Sequence, residues 1–193
     1  MRRRTSILLG VIVAGIITVA GCASAPADNH STTPTQPAKS TGVSAKVSDA
    51  LALVDRSDPV DVGRVFSEIS CTWDPAIDAT ETAAVLRGAD LMTPELAAQT
   101  VEPLRSASQA IFIQASEVGA ISSAAAVQRA DIHDGPSDTS DTKYLAYQVT
   151  WTWATPTGSD VAVDDPRTRT TYLILVRQPD QTWLVSSYNS VDQ

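Results

Sequence analysis

The chain has 193 residues, with 14 basic and 22 acidic side chains, a net charge of −8 and 43% apolar residues. An acidic chain repels phosphate, which argues against a nucleic-acid partner, while the apolar fraction suffices for one core. Two cysteines are too few for a disulfide-stapled scaffold.

In chain order, Arg2, Arg3 and Arg4 precede an apolar run from Ile7 to Ala20. About 14 helical residues span roughly 21 Å, short of the ~30 Å hydrocarbon core, so a permanent membrane span is disfavoured. Residues 1–21 read instead as an export signal. Val19-Ala20-Gly21-Cys22 follows at once and resembles the bacterial lipobox, in which small residues admit a signal peptidase and the cysteine thiol accepts a diacylglyceryl group. Two acyl chains hold a protein stably where one is marginal. The competing reading is an ordinary secretory signal with a chance cysteine. Ser6 stands where a twin-arginine signal would have an apolar residue, so general export is expected. Loss of the three arginines leaves 11 basic against 22 acidic side chains, a net of about −11. That charge disfavours lying flat on anionic lipid. The expected address is the extracytoplasmic side of the cell membrane, with the membrane as partner through the lipid on Cys22.

Residues 22–44 are rich in Ser, Thr, Pro and Ala, carry no periodic apolar residues, and read as a disordered tether reaching roughly 25 Å. The span 45–193 is one domain in length. Asp58-Pro59 is a helix start, and Val62, Val65, Phe66, Ile69 and Trp73 recur at helical spacing before Asp74-Pro75 ends the stripe. Thr80-Glu81 opens a second helix with Ala84, Val85 and Leu91 inward. Thr93-Pro94-Glu95 opens a third, short one through about Val101. Ser108 to Glu117 reads as a turn or helix, with Ile111-Phe112-Ile113 equally compatible with a strand.

Four strands follow: Gly119 to Ile132, Lys143 to Ala154, Thr168 to Gln178 and Thr182 to Ser190. The second is patterned best, with Leu145, Tyr147, Val149, Trp151 and Trp153 alternating on one face. Asp134-Gly135-Pro136, Thr157-Gly158-Ser159-Asp160 and Pro179-Asp180 separate them as turns. Three N-terminal helices and a four-stranded antiparallel meander predict an α+β domain with its helices on one face of a curved sheet.

That order, with RVFSEISCTWDPAIDATETAAVLRGADLMTPELAAQ, resembles the nuclear transport factor 2-like (SnoaL-like) superfamily from about Asp58 to Tyr188. Within that group it looks like envelope lipoproteins and secreted domains of high-GC Gram-positive bacteria. The carrying pattern is W-D-x-x-x-D-x-T followed by L-M-T-P-E-L, which identifies a scaffold and not a reaction. The resemblance implies a cone between helices and sheet, where enzymes of the superfamily place Asp or His with Tyr as oxyanion donor. Here Asp131, His133, Tyr147 and Tyr172 are the corresponding candidates.

Each has a plainer reading. Tyr147 shares its face with the strand tryptophans, which core packing explains, and Asp131 and His133 fall near a solvated strand end. A working acid–base pair needs a sheltered group with a shifted pKa. Asp131, Asp134, Asp138 and Asp141, joined by Asp180 at one end of the sheet, suggest a weak calcium site or simply solvated turns; calcium needs six to eight oxygens. Cys71 lacks a nearby base and reads as structural. Trp73, Tyr147, Trp151, Trp153 and Tyr172 are the candidate pocket or partner surface, against the alternative that the tryptophans are core. No cofactor motif is present. Two functions stay in view: a non-catalytic interaction or scaffold domain facing an envelope protein, and a small apolar ligand binder or enzyme using the cone.

Only Cys22 sits behind a processing site, so Cys22→Ala is expected to abolish metabolic labelling with a palmitate analogue and to block maturation. Continued acyl labelling of that variant would disprove the assignment.

Overall fold

The computed structural model describes residues 42–104, 110–129, 136–155, 157–158, 160–163, 165 and 167–193. The predicted signal, Cys22, the tether to residue 41, and Asp131, His133 and Asp134 lie outside the described residues. The fold is α+β. Its helices are α1 (Gly42–Leu53), α2 (Pro59–Ser70), α3 (Thr82–Arg87), α4 (Pro94–Gln99) and α5 (Ala110–Glu117), with a 3-10 turn at Ala89–Leu91. Among the described residues, no helix is long and apolar enough to cross a membrane.

Local chemistry sets the helix boundaries. Asp58 accepts the Val60 N–H at 2.9 Å, and Pro59 fills the first helical position of α2, where a missing N–H costs nothing. Thr93 repeats the arrangement at α4, accepting from the Leu96 N–H at 3.3 Å. Helix α1 is absent from the sequence reading, and it begins inside the span assigned to the tether. Gly42 to Ser44 are therefore helical, and Val43 is fully buried with Val47. Two apolar anchors in a Ser/Ala-rich segment make a weak periodic signal. Over Ile111-Phe112-Ile113 the structure selects the helix: Phe112 and Ala115, one turn apart, face inward. The strand expected from Gly119 starts later, because Gly119 has φ +64° and closes α5.

The sheet comprises β1 (Ile121–Gln128), β2 (Thr142–Ala154), β3 (Thr168–Arg177) and β4 (Trp183–Asp192), all antiparallel neighbours in that order. Along β2 the period of two is strict: Tyr147, Val149, Trp151 and Trp153 are buried while Gln148, Thr150 and Thr152 are exposed. Register carries this inner face across the sheet. Val149 pairs with Arg169, Tyr147 with Thr171 and Leu145 with Leu173, so β3 also turns Arg169 and Thr171 inward. The β3–β4 register shifts at Ile174/Leu175, which leaves Ser186 as an extra residue in β4.

Helix α2 lies on this inner face. Val62, Val65, Phe66 and Ile69 are buried in the same cluster as Val149, Trp151 and Trp153. The Tyr147 hydroxyl donates to the Val60 carbonyl at 2.7 Å, and Ser67 and Thr171 share a buried hydroxyl hydrogen bond of 2.8 Å. Gly63 makes room for the phenol: a Cβ there would come within 2.7 Å of the Tyr147 oxygen. The β1 edge is also covered. Ser122 donates its N–H to the Trp73 carbonyl at 2.9 Å, and Glu68 accepts the Ala126 N–H at 3.2 Å. These two contacts take up main-chain groups that an edge strand would otherwise offer to a foreign strand.

Truncating Trp151 or Trp153 to Ala removes a side chain that is 1% exposed, and each is expected to cost ~3–5 kcal/mol in urea unfolding. Thr152→Ala, between them on the opposite face, is expected to stay within ~0.5 kcal/mol. Tryptophan variants as stable as Thr152→Ala would place these rings on the surface.

Candidate functional site

The space between α2 and the inner sheet face is built around Trp73, which lies beyond the helix: α2 stops at Ser70 with Cys71 as its cap, short of the Asp74-Pro75 end expected from the sequence. Its backbone is locked to β1, since Ser122 Oγ accepts the Trp73 N–H at 2.6 Å and donates to the Cys71 carbonyl at 2.9 Å. The indole lies edge-on to Trp151 at 5.3 Å, stacks on Trp153 at 6.0 Å and meets Phe112 at 6.0 Å. All three indole N–H groups are satisfied: Trp73 donates to the Glu81 carbonyl at 3.2 Å, and Trp151 and Trp153 both donate to Asp165 Oδ2, at 2.6 and 2.7 Å.

Into this aromatic cluster β3 inserts Arg169, which is 5% exposed. Its guanidinium carbon sits 5.4 Å from the Trp73 ring centre and 5.5 Å from that of Trp151. Burial alone works against the charge. Nearby Cys71, then the carboxylates of Asp192 at 2.7 Å and Glu81 at 2.9 Å, outweigh it and hold the guanidinium above its ordinary pKa. The result is a saturated arrangement of cation, two π faces and two anions.

The other polar residues of the candidate motif are also structural. In W-D-x-x-x-D-x-T, Asp78 accepts the Asp74 N–H at 2.7 Å and pairs with Arg87, which also donates to the Thr72 carbonyl. Thr80 donates to Glu102 at 3.0 Å. The motif is a knotted turn that fixes the exit of α2. Cys71 is fully buried, and burial pushes its thiol up to about 11, so it stays protonated at neutral pH and is no nucleophile.

The predicted site residues thus separate. Trp73, Tyr147, Trp151 and Trp153 come together, but as core, each at most 2% exposed. Burial first, then the Asp58 carboxylate, drive the Tyr147 pKa further up, so the phenol stays protonated at neutral pH, and its one hydrogen is already donated to the Val60 carbonyl. Tyr172 is on the opposite face, 38% exposed. Asp138, Asp141 and Asp180 do gather at one end of the sheet, where the Arg177 N–H donates to the Asp141 carbonyl at 2.9 Å. Each is used locally: Asp138 by Tyr144 and Lys143, Asp141 by Ser140, Asp180 by Thr182. Among the described residues, no group of three or more His, Cys, Asp or Glu is placed to hold a metal ion.

Arg169 and Asp165 are absent from the sequence reading. A signal for Arg169 exists: inward register for Leu173 and Leu175 in β3 forces position 169 inward as well. Asp165 gives none, because it lies in an irregular connection.

The outer face of the sheet carries a groove of about 660 Å³ at its β1–β2 hairpin end. Tyr144, Ala146, Tyr172 and Ile174 form its floor, Ser187 and Asn189 one side, and Arg129 with Pro136 to Asp138 the other. No family model, curated protein or solved structure matches the chain.

The partners of Arg169 differ from it in exposure, at 45% for the Glu81 side chain and 51% for Asp192. Either amide still accepts the Arg169 N–H and leaves the cation one carboxylate and two ring faces, so Glu81→Gln and Asp192→Asn are each expected to cost only ~1–2 kcal/mol. Arg169→Ala empties the space between two indoles and is expected to cost ~3 kcal/mol or more. Equal effects in chemical denaturation would show that the ion pairs, and not the packing of the guanidinium, carry the stability.

Proposed function

We propose that this chain is a lipid-anchored extracytoplasmic recognition domain on a nuclear transport factor 2-like scaffold, acting by binding an envelope protein and not by catalysis. The observation that carries this reading is the filled interior. In the resembled superfamily, chemistry takes place in the cone between helices and a curved sheet, and here that space holds Trp73, Trp151, Trp153 and Arg169. Their polar atoms are paired with one another or with Glu81, Asp165 and Asp192. Neither an apolar ligand nor a substrate fits such a space without dismantling it.

What the fold offers outward supports the same reading. Gln148, Thr150, Thr152, Val127, Tyr172 and Val191 stand exposed on the outer face of the sheet. The lipobox-like Val19 to Cys22 supplies an anchor, and the Ser/Thr/Pro-rich segment after it supplies reach. Neither a cofactor nor a metal enters the reading.

A photo-crosslinking amino acid at Thr150 of the full chain in intact cells tests it. The expected outcome is one reproducible envelope protein, captured from the wild-type background and lost when Val127→Lys is added on the same face. Capture that ignores Val127→Lys, or no reproducible neighbour, would overturn the reading.

A further inference from the structure

We propose that the groove at the β1–β2 end of the outer sheet face binds a neutral saccharide. This deepens the recognition reading, because it places a second, small-ligand contact on the face proposed to meet an envelope partner, and it can fail independently.

The size is right for a small-molecule site: about 660 Å³, within the ~300–1,000 Å³ of ligand pockets. The wall is built and not incidental. Asp138 Oδ1 accepts the Tyr144 N–H at 3.0 Å and Oδ2 pairs with Lys143 at 3.3 Å, while Thr139 Oγ1 accepts the Thr142 N–H at 3.0 Å. These bonds fix the Pro136–Asp138 side against the floor. On the far side, the extra residue Ser186 donates its hydroxyl to the Ile174 carbonyl at 3.1 Å, beside lining residues Ile174 and Ser187. A bulge of this kind bends its strand and re-aims side chains, and bulges concentrate next to binding sites.

The chemistry of the lining selects the ligand class. The main chain of the floor is committed to sheet pairing, Tyr144 with Ile174, Ala146 with Tyr172, and Tyr172 with Asn189. An extended peptide laid across this floor would find those main-chain groups already paired, and main-chain hydrogen bonds are what give sheet-bound peptides their affinity. Recognition must come from side chains, and these are two phenol rings, an aliphatic surface, an amide and hydroxyls. The hydroxyls of Tyr144, Tyr172 and Ser187 make no hydrogen bond among the described residues, and the Asn189 amide N–H₂ makes none either. The acids and hydroxyls at nearby turns, by contrast, are satisfied locally. Flat apolar rings beside unspent neutral donors and acceptors match a sugar ring, which has an apolar C–H face and a rim of hydroxyls. The two charged lining residues, Arg129 and Asp138, are of opposite sign, and the net charge of −8 disfavours an anionic ligand.

The test is chemical-shift mapping on the full-length ¹⁵N-labelled chain in zwitterionic detergent micelles, titrated with maltotriose, cellotriose and chitotriose as separate probes. At least one is expected to bind with a millimolar dissociation constant, shifting the amides of Tyr144, Tyr172, Ile174 and Asn189. Tyr172→Ala and Asn189→Ala should each weaken that binding at least fivefold with an unchanged melting temperature. Tyr172→Phe should weaken it less than Tyr172→Ala, and Thr152→Ala, on the same face but outside the groove, should leave it unchanged. No shift with any probe, shifts mapping elsewhere, or binding indifferent to Tyr172→Ala would overturn the proposal. A cross-linked envelope protein retained at Thr150 alongside such a null would sink the saccharide site alone and leave the recognition reading standing.

Discussion

A single buried guanidinium sets the terms for the rest of this domain. Arg169 occupies the place where α2, the turn after it and the last strand converge, and an unpaired cation there would cost several kcal/mol. Every neighbour answers that requirement. Trp73 and Trp151 present ring faces, and Glu81 and Asp192 supply charge from the rim, where each stays about half exposed to water. Asp165 then completes the cluster by taking both remaining indole hydrogens on one oxygen. The aromatic group is therefore as much a polar network as an apolar core, and it tolerates no vacancy.

That saturation bears on function. A reactive site needs at least one group held short of its best partner, with a pKa moved toward neutrality. Here two buried groups, Cys71 and Tyr147, move the other way. Cys71 is pushed up to about 11 and Tyr147 is raised still further, so both stay protonated. Unspent hydrogen-bonding capacity lies on the outer sheet face, around Tyr144, Tyr172 and Asn189. That capacity is what the proposed recognition reading rests on.

Much of the architecture was legible in the residues. Asp58-Pro59 and Thr93-Pro94 fixed helix starts to the residue, because capping is local chemistry. The alternation of Tyr147, Val149, Trp151 and Trp153 fixed the face of β2, because a half-buried strand has no other way to write itself. The site was less legible. Trp73, Tyr147, Trp151 and Trp153 were visible as a group, but whether they lined a pocket or filled a core depends on what stands opposite them. That is Arg169, about 20 residues after the β2 rings and joined to that strand through register, but 96 residues after Trp73. Helix α1 was missed for a different reason. Val43 and Val47 are two apolar points in a Ser/Ala-rich stretch, too few to define a period, and tertiary burial makes the helix.

The reach of Arg169 along the chain also bears on timing. It joins Glu81, 88 residues earlier, to Asp192, 23 residues later, and Trp73 is tied to Ser122 across 49. Until the fourth strand is in place, the cation has only one of its two carboxylates and the indoles are open to water. Partial folding gains little, and closure waits on long-range pairing, which is slow. For a chain exported as proposed here, delay is useful. A polypeptide that cannot settle its core early stays threadable through a translocation channel, and it becomes compact only on the far side. On that proposal, the buried arginine that holds the finished domain together would also be a brake on finishing it too soon.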